Sequence, residues 1–83
     1  MTYKIVYTRS AFKDIQKIDS VAKKRIKKKI EEFTINPIKS AKRLTSSNLG
    51  TYRWRVGNYR IIFDVDKNNI VILRIGHRKE IYK

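Results

Sequence analysis

Two hydrophobic periods run along this chain, and the switch between them divides it into predicted elements. Residues 3–8, Tyr-Lys-Ile-Val-Tyr-Thr, are β-branched and aromatic and predict a short strand. Ser10 follows in an N-cap position. Ala11, Phe12, Ile15 and Ile18 then fall within about 120° of arc on a helical wheel, which predicts a short amphipathic helix. Asp19-Ser20 breaks that helix and offers a second N-cap. From Val21 to Asn36 the apolar set Ala22, Ile26, Ile30 and Phe33 spans only about 80° of the wheel, with Lys and Arg over much of the remainder. A second helix is predicted there, ending before Pro37 because the residue ahead of a proline is pushed out of the α region. Together the two segments predict a helical hairpin.

Residues 38–50 are polar and basic, with Ser47-Asn48 and Gly50 as turn formers, and predict a connecting loop. Beyond it the period falls to two. Thr51–Val56, Tyr59–Asp66 and Ile70–Ile81 predict strands, separated by hairpin signals at Gly57-Asn58 and Lys67-Asn68-Asn69. No repeat, low-complexity tract or long linker divides residues 1–83, so one α+β domain is expected: an N-terminal strand, a helical hairpin and a three-stranded antiparallel meander.

Residues two apart in a strand share a face, which makes the meander readable. Tyr52, Trp54 and Val56 point one way, Arg53 and Arg55 the other. A two-residue turn at Gly57-Asn58 sets Arg55 opposite Arg60 and Trp54 opposite Ile61. For the second hairpin, a loop at Asn68-Asn69 would put Phe63 opposite Arg74, mixing core with surface. A three-residue loop over Lys67–Asn69 instead pairs Phe63 with Leu73 and Ile61 with Ile75, and is the register expected. Arg60 then faces Gly76, with Arg74 and Arg78 two residues to either side. Arg53, Arg55, Arg60, Arg74 and Arg78 are thus expected on one sheet face. Trp54, Ile61, Phe63, Leu73 and Ile75 form the other, beneath the helices. In an extended tail Tyr82 shares the parity of Arg78. Like charges directly across a ladder are destabilising, so a sequence that specifies Arg55 against Arg60 points to an anion between them.

Charge strengthens that inference. Twenty-one Lys+Arg against 7 Asp+Glu give a formal net charge of +14, which favours anionic partners. Five of the eight arginines lie on the predicted arginine face, while ten of the thirteen lysines lie at or before Lys42. The arginine face reads either as a solvated surface or as an anion site, and this segregation favours the second. For the basic run of the second helix the order is reversed: a solvated face comes first and contact with a phosphate backbone second. With Arg74, Lys23, Lys24, Lys27 and Lys28 make up the set expected for contact with a nucleic-acid phosphate backbone.

The absence of cysteine excludes a disulfide framework, a thiolate zinc site and a cysteine nucleophile, and it suits a reducing cytosol. No apolar run has the length of a bilayer span or follows a basic start, so a cytoplasmic protein without membrane association is expected. His77 is the lone histidine and reads either as a structural donor or as an acid–base group. Asp64-Val65-Asp66-Lys67-Asn68 opens like a calcium loop, but Asn69 and Ile75 stand where that loop needs glycine and glutamate. It reads as a turn, and neither a metal nor another cofactor is expected.

Tyr52-Arg53-Trp54-Arg55-Val56-Gly57-Asn58-Tyr59-Arg60-Ile61-Ile62-Phe63 and Ile75-Gly76-His77-Arg78-Lys79-Glu80-Ile81-Tyr82, in this order of elements, resemble the RelE/ParE superfamily of toxin–antitoxin toxins, and the RelE branch most. The resemblance covers nearly the whole chain. It implies a small RelE-like, microbial-ribonuclease-type fold and a metal-independent, ribosome-dependent endoribonuclease that cuts mRNA in the A site of the small ribosomal subunit. Arg53 and Arg55 match two basic positions at the scissile phosphate, usually lysine in the best-known member. Arg60 and Arg78 match the arginines that hold the phosphate and the transition state, and Tyr82 matches a tyrosine implicated in proton transfer. A cognate antitoxin, the ribosome with its rRNA, and mRNA are the implied partners.

RNA carries its own nucleophile. The protein must orient the 2′-hydroxyl in line, take its proton, stabilise charge on phosphorus and protonate the leaving 5′-oxygen. Arginine, with a pKa above about 12, is a poor base, which shifts that role from Arg53 and Arg55 to Tyr82 or His77. The expected products are a 2′,3′-cyclic phosphate and a 5′-hydroxyl. The alternative implied by the superfamily is a non-enzymatic, ParE-like inhibitor of DNA gyrase, or a basic nucleic-acid-binding module.

Overall fold

The computed structural model describes residues 3–39, 41–44 and 51–80. The elements run β1 (Lys4–Tyr7), α1 (Arg9–Gln16), α2 (Ser20–Phe33), β2 (Lys42–Arg43), β3 (Tyr52–Val56), β4 (Tyr59–Asp66) and β5 (Asn69–His77). All five strands join one sheet of order β1-β5-β4-β3-β2. The meander is antiparallel as predicted, and β1 lies parallel to β5. A strand returning parallel to another needs a crossover, and the helical hairpin supplies it. Among the described residues no helix is long and apolar enough to cross a membrane.

Both helices start on side-chain caps. Asp19 caps α2 as predicted, its Oδ2 accepting from the Ala22 N–H at 3.3 Å. The cap of α1 is Thr8 rather than Ser10: Thr8 Oγ1 accepts from the Ala11 N–H at 3.1 Å and donates to the Leu73 carbonyl at 3.0 Å. The Thr8 N–H also donates to the Ile72 carbonyl at 3.0 Å, so one residue ends the strand, starts the helix and ties both to β5. Helix α2 ends at Phe33 rather than Asn36. Ile35 is 83% exposed, so a further turn would bury nothing.

The core lies between the helices and one sheet face. Ala11, Ile15, Ile26 and Ile30 pack on Trp54, Val56, Ile61, Phe63, Ile70, Ile72 and Ile75. Phe12, expected in the apolar stripe, is 55% exposed. Trp54 stacks between Phe33 and Phe63, with centroids at 4.9 and 3.9 Å, and its indole N–H donates to the Pro37 carbonyl at 3.0 Å. That satisfied donor lets the whole ring be buried, a contribution of about 3–5 kcal/mol by the usual cost of truncating a buried Trp.

The first hairpin has the predicted register, Arg55 opposite Arg60 and Trp54 opposite Ile61. The second differs. Asp66 pairs with Asn69 around a two-residue Lys67-Asn68 turn, and a bulge then shifts the register between Ile62 and Phe63. Phe63 therefore faces Ile72 rather than Leu73, while Ile61–Ile75 and Arg60–Gly76 pair as expected. Leu73 is the extra residue. It lets Ile70 and Ile72, of one parity, share the core face with Ile75, of the other. The sequence predicts a plain loop over 38–50 and a last strand reaching Ile81. Two residues of that loop form β2, too short to show a period. β5 stops at His77, where the Glu80 N–H donates to the His77 carbonyl at 2.9 Å; Ile81 lies outside the described residues.

Candidate functional site

The β3–β4 hairpin carries three of the five arginines expected on one face, Arg53, Arg55 and Arg60. Its turn is tight because Gly57 adopts a φ of +58°, open to glycine and costly to L side chains. A Cβ there would also meet the Arg25 guanidinium of α2, with Nη1 at 3.3 Å. Next to the turn, Arg55 and Arg60 stand directly opposite one another on the sheet face away from the helices. The Asn58 carbonyl accepts from the Arg78 N–H at 2.8 Å, which anchors the backbone of Arg78 at the same end. One step along, Lys42 of β2 stands opposite Arg53. Two cross-strand pairs of like charge thus share one face, an arrangement a phosphate would relieve.

Arg60 is only 7% exposed, and its Nη1 donates to the Gly57 and Tyr59 carbonyls at 3.2 Å each. The guanidinium is held at the turn rather than swinging in solvent. Arg53 is half-buried, while Arg55 and Arg78 are exposed. Ile62, across from Arg53, is 0% exposed yet belongs to the arginine face by its register, giving that face an apolar floor.

Arg74 does not join this group. Its Nε and Nη2 donate to Asp14 Oδ2 and Oδ1 at 2.7 and 3.2 Å, and Asp14 Oδ2 also accepts from the Ile75 N–H at 3.0 Å. β1 pairs with β5 only as far as Ile72, and beyond it Asp14 covers the open strand edge. The hydrogen bond to this carboxylate, with its charge second, raises the pKa of Arg74 above the usual arginine value.

His77 is also apart from the arginine face. It packs edge-on to Tyr59 with centroids at 5.9 Å, and Nδ1 accepts from the Lys79 N–H at 3.2 Å. Tyr59 and His77 pair across the ladder with the parity of Ile61 and Ile75, so they stand on the helix side. There they line a cleft of about 300 Å³ with Asp14 of α1 and Lys17, which caps that helix. Tyr82 lies outside the described residues. Lys24, Lys27 and Lys28 are exposed and Lys23 half-buried on α2, in the helical layer across the sheet from the arginines.

Three residues of this geometry escaped the sequence reading. Lys42 sits in a two-residue strand without a period, Arg25 is hidden in a basic helical run, and Asp14 is matched to Arg74 only by a contact 60 residues apart.

The family whose model matches residues 5–82 is the ParE toxin of the type II toxin–antitoxin system, parDE. The chain is similar to Toxin RelE3 of Methanocaldococcus jannaschii, 35% identical over 83 residues that cover 95% of this chain and 94% of that protein. To Toxin RelG of Mycobacterium tuberculosis it is 31% identical over 90 residues, covering 100% and 99%. Among solved structures, a chain of the toxin–antitoxin complex RelBE2 from Mycobacterium tuberculosis superposes with a TM-score of 0.84 at 26% identity, covering 94% of this chain and 100% of that one.

Proposed function

The chain belongs to the ParE/RelE family of type II toxin–antitoxin toxins, and from that footing we propose that it is a ribosome-dependent endoribonuclease acting on mRNA in the A site. The observation that carries this reading is the Arg55–Arg60 pair beside the turn that also anchors Arg78. Arginines gathered at one turn, with the Arg60 guanidinium held there, suit a reaction in which negative charge builds on a phosphate. Arg60 and Arg78 donate to the equatorial oxygens as the 2′-oxygen attacks phosphorus, while Arg53 and Arg55, with Lys42, hold the strand on either side. The P–O5′ bond breaks, leaving a 2′,3′-cyclic phosphate and a 5′-hydroxyl. With His77 on the far side of the sheet, proton transfer falls to Tyr82, whose phenol ordinarily titrates at about 10.

The lysines of α2 occupy a separate surface and suit docking onto rRNA by counterion release, in a salt-dependent and sequence-independent way. An acidic or amphipathic antitoxin is the expected inhibitor of so cationic a protein, and the cytoplasm its expected place of action. The match to the ParE model favours one second reading, inhibition of DNA gyrase without RNA cleavage. A purified translation assay read by primer extension separates the two. New message ends at ribosome-occupied codons are the expected result. Intact message alongside blocked gyrase supercoiling would overturn the nuclease reading.

A further inference from the structure

The cleft of about 300 Å³ on the helix side has the size of a small-ligand site and a chemistry unlike the rest of the molecule. It lies along the outer edge of β5 beyond the end of β1, roofed by the last turn of α1. Ile18 and Ile75 give it apolar surface, and the perpendicular Tyr59–His77 pair forms an aromatic wall. Its charged lining is balanced, Asp14 and Glu80 against Lys17 and Arg74, in a chain of formal net charge +14. A free phosphate therefore gains more on the arginine face. The cleft suits a flat, neutral ligand that stacks on an aromatic wall and presents donors and acceptors at its edge.

Those demands describe a nucleobase, and the available groups select among the four. The Asp14 carboxylate is engaged by Arg74 and by the Ile75 N–H. His77 Nδ1 accepts from Lys79, which leaves the proton of the neutral ring on Nε2, as a donor. Among the described residues Glu80 and Lys17 make no ion pair, and they supply one carboxylate and one ammonium at the rim. A carboxylate can accept from both N1–H and N2–H of guanine, and a cation can donate to its O6 and N7. Adenine offers the carboxylate only its N6 amino group. Gly76 connects the two surfaces: it lines the cleft and stands opposite Arg60 in the ladder.

We propose that this cleft is a guanine-selecting subsite, receiving one unstacked base of the RNA whose phosphates lie on the arginine face. The source of the base rests on the nuclease reading; the binding itself does not, and the two are tested separately. The intact protein is titrated with GMP, AMP, CMP and UMP, and with inorganic phosphate, followed by amide NMR shifts. GMP is expected to shift Lys17, Gly76 and His77 and to bind about tenfold more tightly than the other three, within the usual discrimination of a bidentate base contact. Glu80→Ala and Lys17→Ala, two surface changes, are each expected to weaken GMP about tenfold while inorganic phosphate binding at the arginines persists. In the cleavage assay, Glu80→Ala should bring the ratio of cutting at guanine-containing over guanine-free codons towards one. Equal affinity for the four nucleotides, shifts confined to the arginine face, or variants that bind GMP like the parent would overturn the subsite. GMP binding in the cleft of a protein that cuts no message would keep the subsite and sink the nuclease reading. Message cut without guanine preference would do the reverse.

Discussion

The two hairpins of the meander turn through nearly the same backbone angle at their first turn residue, 58° at Gly57 and 56° at Lys67, but only one fills it with glycine. At the β3–β4 turn, residue type and conformation agree, the register runs unbroken and the arginines line up across it. At the β4–β5 turn a lysine holds a conformation that costs an L residue about 1–2 kcal/mol, and a bulge soon takes up an extra residue. On the same strand Arg74 keeps its place opposite Ile62, but its side chain turns from the arginine row to Asp14. The end of the sheet that carries the candidate chemistry follows local rules. The other end is fixed by contacts with α1 and β1.

Four substitutions probe this contrast, from the largest effect to the smallest. Arg60→Ala should lower cleavage about 10²–10³-fold, the scale of removing one fixed donor to a charged transition state, with much less effect on unfolding by urea. An equal collapse of fold and activity would make Arg60 structural and dissolve the contrast. Asp14→Ala should do the opposite, costing about 1–3 kcal/mol of stability by orphaning the Ile75 N–H and releasing Arg74. If urea unfolding were unmoved, β5 would not depend on α1 for its edge. Gly57→Ala should cost about 1–2 kcal/mol through its positive φ, with Arg25 displaced as well. Lys67→Gly should gain about 0.5 kcal/mol, relief of strain less the extra entropy of a glycine chain. Opposite signs at two turns of nearly equal φ are the signature; equal signs would show that the match of residue type to φ is not what distinguishes them.

What the sequence made legible follows the same division. The strand order of the meander, both helices and the Arg55–Arg60 pair were readable because period, turn chemistry and caps are local properties. Glycine at position 57 fixed a two-residue turn and with it the faces of Trp54 and Arg55. The second turn offered Lys67, Asn68 and Asn69 with no glycine to choose among them, and a bulge leaves no mark in a run of β-branched residues. Both candidate loops kept a single register, so the expected pairing places Leu73 in the core where Ile72 lies, while Arg74 faces Ile62 as that register requires. The parallel pairing of β1 with β5 joins the two ends of the chain and is invisible to any local pattern. His77, which reads as a structural donor or an acid–base group, lies opposite Tyr59 and apart from the arginines because strand alternation sends adjacent residues to opposite faces.

The central claim is that the arginine face works by activating RNA against itself. Its most direct test is a message carrying a single 2′-deoxynucleotide at the position cut in the parent message, presented on ribosomes to the wild-type protein. The account predicts that cleavage there disappears while cuts at unmodified codons continue, each with a 2′,3′-cyclic phosphate end. Cutting of the deoxy-substituted position at the parent rate would mean that another nucleophile attacks, and would contradict the account.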